Sequence, residues 1–117
     1  MALKQLVEQN FEMHSGDTVV IVVTVLTGKD QVVPITGATA IFIVAKSENG
    51  SAIFSKSVGS GIVLTDPVQG VMTITLNSGD TEALVGVHYM ELELTDAALR
   101  VSTIVVGHIN IRKNVIQ

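Results

Sequence analysis

The chain of 117 residues contains no cysteine and no tryptophan, two prolines and a single tyrosine. Without cysteine there is no disulfide, no thiolate nucleophile and no Cys-containing zinc site. Aromatic residues make up 3% of the sequence. That is too few for a base-stacking platform or the aromatic shelf of a sugar site. Positive charge is also scarce: seven Lys and Arg stand against eleven Asp and Glu, for a net charge of −4. A surface that neutralises phosphates needs clustered bases, and here only Arg112 and Lys113 are adjacent. Nucleic acid is therefore not an expected partner.

Long apolar runs are missing as well. Runs such as Val19 to Val23 fall far short of the ~20 residues that cross a membrane as a helix, so no membrane partner is expected. Met1 to Leu6 lead straight into polar sequence rather than into the apolar core of a secretory leader. The expectation is a protein made in the cytoplasm.

What is abundant is aliphatic. Hydrophobic residues reach 47% and charged residues only 15%, with a mean hydropathy of +0.51. Soluble domains carry about a quarter charged residues. A chain so poor in surface charge is expected to hide part of its surface against a partner.

The length suits one domain with its own core. Its patterning is that of strands, with alternation at period two bounded by turn residues. The clearest stretch is Gly70 to Thr95. Met72, Ile74 and Leu76 share one face of its first run. In the second, His88, Met90, Leu92 and Leu94 face inward, and Tyr89, Glu91, Glu93 and Thr95 outward. Between them Ser78 or Asp80 can cap a turn or two of helix that carries Leu84 across one end.

Elsewhere Val7–Met13 reads as a strand, although Leu3, Leu6 and Val7 also permit a short helix. Thr18–Leu26 places Val19, Ile21, Val23 and Val25 on one face and Thr18, Val20, Val22 and Thr24 on the other. The outward Val20 and Val22 are a second, weaker candidate for a contact surface. Ala38–Ser47 turns Ala38, Ala40, Phe42 and Val44 inward and Ile41 and Ile43 outward. Asn49-Gly50 is a hairpin signal, returning as Ala52–Val58, and Ile62–Leu64 is short. The last strand, Val101 to Arg112, is expected to put Thr103, Val105, Ile109 and Ile111 on one face, and Ile104, Val106 and His108 on the other. Seven to nine such strands indicate an all-β, immunoglobulin-like antiparallel β-sandwich.

Chemistry-bearing groups are dispersed. His14, His88 and His108 lack metal-ligand spacing, and no nucleophile elbow frames a serine. Asp80, Glu82, Glu91, Glu93 and Asp96 read as solvated carboxylates rather than a calcium set. Gly59-Ser60-Gly61 lacks the lysine and helix of a phosphate loop. No cofactor, no metal and no enzymatic activity is expected. Leu84, Gly86 and His88 read as a structural corner, the place where sandwich domains often hold a hydrogen-bonded tyrosine.

The run Gly16-Asp17-Thr18, the run Pro34-Ile35-Thr36-Gly37-Ala38 and the later Gly86-Val87-His88-Tyr89-Met90-Glu91 together resemble the N-terminal immunoglobulin-like domain of tailed-phage baseplate upper proteins. In that family the aromatic residue usually stands two places after the glycine; here His88 is there and Tyr89 one later. The resemblance spans residues 11–112. It implies a virion structural module, in a tail, baseplate or capsid-decoration setting, that self-associates and docks on other virion subunits. With strands 38–47 and 101–112 flanking strand 87–95, the expected interface is Ile41, Ile43, Tyr89, Ile104 and Val106. The competing class is a ligand- or carbohydrate-binding module of a host-adhesion device, which the scarcity of aromatics disfavours.

Overall fold

A computed structural model describes residues 7–115, with side chains from residue 10 onward; Leu3 and Leu6, which left a helix open, lie outside the described residues. The strands are β1 (Val7–His14), β2 (Val19–Thr24), β3 (Thr39–Ala45), β4 (Ala52–Val58), β5 (Gly61–Asp66), β6 (Val71–Leu76), β7 (Gly86–Thr95) and β8 (Val101–Arg112). One turn of helix, α1 (Ser78–Thr81), follows β6. The order across the sheet is β1-β8-β7-β3-β4-β5-β6-β2. The eight-stranded sheet bends over itself into a nearly closed sandwich, with β1 and β2 as its two edge strands among the described residues.

Most neighbours are antiparallel, as alternating hairpin-like sequence requires, but β1 runs parallel to β8. The join between β4 and β5 is also parallel and only two residue pairs long, Ser57 with Gly61 and Val58 with Ile62. This short join is where the two layers meet. The fold is therefore a mixed rather than purely antiparallel sandwich.

Alternation builds the core. Ala40, Phe42 and Val44 of β3, Met72, Ile74 and Leu76 of β6, and Met90, Leu92 and Leu94 of β7 are all buried in one cluster. Burial of such side chains, worth roughly 1.5–3 kcal/mol each, fixes the register, because a one-residue slip would turn every one of them into water.

β8 departs from the expected alternation. Leu92 pairs with Val105, but Glu93 pairs with Thr103, so Ile104 is an extra residue in the β8 ladder. A bulge of this kind reverses the facing of the chain beyond it. Ile104 consequently turns into the core and is 5% exposed, rather than lying on the outward face as strict alternation predicts. Val105, on the other side of the bulge, also packs against the core.

The loop from Val25 to Ile35 is knitted to the turn before β6. Val25 N–H donates to the Gly70 carbonyl at 2.8 Å, and Ile35 N–H to the Pro67 carbonyl at 2.8 Å. Gly70 has φ +73°, and a Cβ there would lie 2.5 Å from the Val33 carbonyl oxygen. Only glycine meets both requirements.

Candidate docking surfaces

The corner before β7 is built from backbone groups and one imidazole. Asp80, in α1, accepts the Asn77 N–H at 2.7 Å. Thr81, fully buried, accepts the Gly16 N–H on its hydroxyl at 3.0 Å. Leu84 packs against the core, and Gly86 takes φ +105°. His88 is buried, with Nδ1 3.0 Å from the Gly86 carbonyl oxygen. A carbonyl only accepts, so Nδ1 carries the proton. Asp80, Thr81 and His88 each have a hydrogen-bond partner within the chain here.

Lys56 was not singled out by sequence reasoning. It points inward from β4, lies across Gly61, and reaches Asp80 at 2.7 Å. The same carboxylate oxygen accepts the Asn77 N–H. The pair ties α1 to the join between the two layers.

The outward face of β8, β7 and β3 holds the residues expected to form an interface, and it differs from that expectation. Ile41 is 48% exposed, Ile43 and Val106 are half-buried, and Ile104 is in the core. Tyr89 does face this side, yet it is only 8% exposed. Its ring meets His108 edge-on at 6.2 Å between centroids, and its hydroxyl donates to Glu91 Oε1 at 2.7 Å. Burial, followed by the hydrogen bond and charge of Glu91, pushes its pKa up to about 12. The aliphatic positions are also interleaved with acid: Ile41 stands opposite Glu93, and Ile43 opposite Glu91. Two carboxylates among three aliphatics make this a poor apolar patch.

The opposite layer is different. Its outward face consists of Val20, Val22 and Thr24 from β2, Val71, Thr73 and Thr75 from β6, and Val63 and Thr65 from β5. None of these side chains is ionisable. Val20, Val22 and Val63 are 58%, 65% and 59% exposed. Thr65 and Thr73 share a hydroxyl contact at 3.2 Å, which places them on one face. Charge is sparse here: Asp66, at the end of β5 opposite Val71, is the ionisable residue that borders these eight.

Beside it the sandwich is open. A cleft of about 290 Å³ separates the β2 edge from β1 and β8. Phe11, Val23, Leu26 and Val105 form its walls, and Phe42, Ile74 and Leu92 its floor. The surroundings of the cleft are aliphatic, with Asp30 the one ionisable residue lining it among the described residues. No group of acidic and histidine side chains that could hold a metal ion occurs among the described residues.

The chain matches no protein-family model and no curated protein. Sequence reasoning noted Val20 and Val22 as outward-facing. It had no signal that β5 and β6 would extend them into a single uncharged surface, because that depends on strand order.

Proposed function

We propose that this chain is a non-enzymatic structural module of a tailed-bacteriophage particle, which self-associates and docks onto neighbouring virion subunits. The observation that carries the reading is the uncharged Val and Thr face of β5, β6 and β2. Exposed valines scattered singly mean little, but Val20, Val22 and Val63 gathered among threonines on one face concentrate apolar area where a partner can cover it. Burying it contributes about 25 cal/mol per Å² of apolar area, against which the entropy of association must be set. The resemblance of the Gly16-Asp17-Thr18 and Pro34–Ala38 turns to baseplate upper proteins supports the virion setting. Among the described residues, the histidines and carboxylates form no group that could hold a metal ion.

The test is incorporation into particles. A chain carrying Val20→Lys and Val63→Lys is expected to fold, with an unchanged far-ultraviolet circular dichroism spectrum, and to be lost from purified particles. Undiminished incorporation of that folded variant would refute the role of this face.

A further inference from the structure

Among the described residues no strand pairs with the outer edge of β2, and its chemistry says what can pair with it. In an antiparallel ladder, residues alternate between those that exchange hydrogen bonds with the neighbour and those that point N–H and C=O away. Val25 donates to Gly70, and the β2–β6 register runs without a break from Val19–Leu76 to Thr24–Val71. Counting back by two, Val23, Ile21 and Val19 bond to β6. Val20, Val22 and Thr24 therefore direct their backbone groups out of the edge. Val22 and Thr24 also border the cleft although their side chains face the other way, as outward-directed backbone would.

Natural edge strands are blunted by charge, proline or bulges. The other edge strand, β1, follows this rule: Glu12 and His14 are exposed, and Glu12 pairs with Arg112 at 3.3 Å. β2 is Val-Val-Ile-Val-Val-Thr, with no charge, no proline and no bulge. Each chain carries a net charge of −4, so two copies meet at least cost where the contact brings no like charges close together and solvent screens the rest. The β2 edge and the face beside it satisfy that condition.

We infer that β2 pairs antiparallel with β2 of a second copy of this chain about a twofold axis through Val22, joining the two β5-β6-β2 layers into one continuous six-stranded sheet. This rests on the self-association proposed above and names its geometry. Faces match only if outward residues meet outward residues, and the outward-bonding set is centred on Val22. Val22 then meets the partner's Val22, and Val20 meets the partner's Thr24. Three such pairs supply about six N–H to C=O bonds. The inward side chains of the added strand cover the mouth of the cleft beside Phe11.

Because the chain has no cysteine, Val22→Cys reports the twofold directly. Mild oxidation is expected to convert it to a covalent dimer, whereas Val63→Cys, on the same face but two strands from the edge, stays monomeric on a non-reducing gel. Val22→Pro removes an N–H that β6 does not use, and is expected to give a folded monomer by sedimentation. Crosslinking through Val63→Cys but not Val22→Cys would overturn edge pairing and leave face-to-face association standing. A Val22→Pro chain that remains dimeric would overturn it too. So would an unmodified chain that is monomeric throughout, in which the edge is served by residues 1–6 or by another protein's strand, and that result would remove self-association as well.

Discussion

The Lys56 ammonium and the Asp80 carboxylate meet at 2.7 Å across the line where the two layers join, with side chains only 10% and 20% exposed. A lysine turned inward from a strand is costly unless its charge is met. Here the four-carbon stem fills the space above Gly61, where a Cβ would collide with Lys56 Cδ. Gly61, Lys56 and Asp80 therefore form one interdependent unit, although they come from three different elements.

Breaking the pair from one side is expected to be asymmetric. Asp80→Asn leaves the ammonium partly buried without a counter-charge and should cost about 1–3 kcal/mol. Lys56→Met keeps the stem volume, removes the charge, and should cost less or be neutral. Urea denaturation of the two variants measures both. Equal losses would mean that the packing of the stem, not the charge, matters at this join.

Tyr89 offers a clean optical probe, since it is the only tyrosine and there is no tryptophan. Its pKa is raised from 10.0 to about 12, so the folded state holds the phenol proton more tightly than the unfolded state does. The stabilisation is complete below pH 10, where both states are protonated. It is lost as pH rises from 10 towards 12, because the unfolded chain ionises first. Absorbance at the phenolate band should titrate near pH 12 in the folded protein. Glu91→Gln should lower the midpoint while leaving it above 10, since burial is the larger cause. An unshifted midpoint near 10 would show a solvated ring.

At the corner, His88→Ala is expected to destabilise by about 1–3 kcal/mol, through the unpaired Gly86 carbonyl and the space left by the ring. Thermal unfolding followed by circular dichroism gives the value. A change near zero would mean that Gly86 and Leu84 hold the corner unaided.

The sequence made the alternating strands legible where one face is apolar and the other is not. Ala40, Phe42 and Val44 in β3, and His88, Met90, Leu92 and Leu94 in β7, are all buried as their parity requires. The phase of β8 was not legible. Its stretch Thr103-Ile104-Val105-Val106 is aliphatic on both parities, so an inserted residue leaves no mark in the pattern. The inward turn of Lys56 depends on the missing side chain of Gly61 in the next strand and on Asp80 in α1, beyond β5 and β6, so it does not show in the pattern of β4 alone. The uncharged face needs β2, β6 and β5 to be neighbours, and neighbours are a property of topology rather than of any single run.

The bulge makes its own forecast. Ile104→Ala should cost about 2–4 kcal/mol, the usual range for a large core side chain. Ile41→Ala, on the exposed acid-rich face, should stay within about 0.5 kcal/mol. Chemical denaturation separates them readily. Similar small effects at both positions would place Ile104 outside the core and undo the register drawn for β8.

Self-association is the claim on which the functional account depends, and sedimentation equilibrium of the unmodified chain tests it most directly. The account predicts an apparent mass that rises with concentration from the 12.4 kDa of one chain to twice that value. A mass that stays at 12.4 kDa across the accessible concentration range would contradict it.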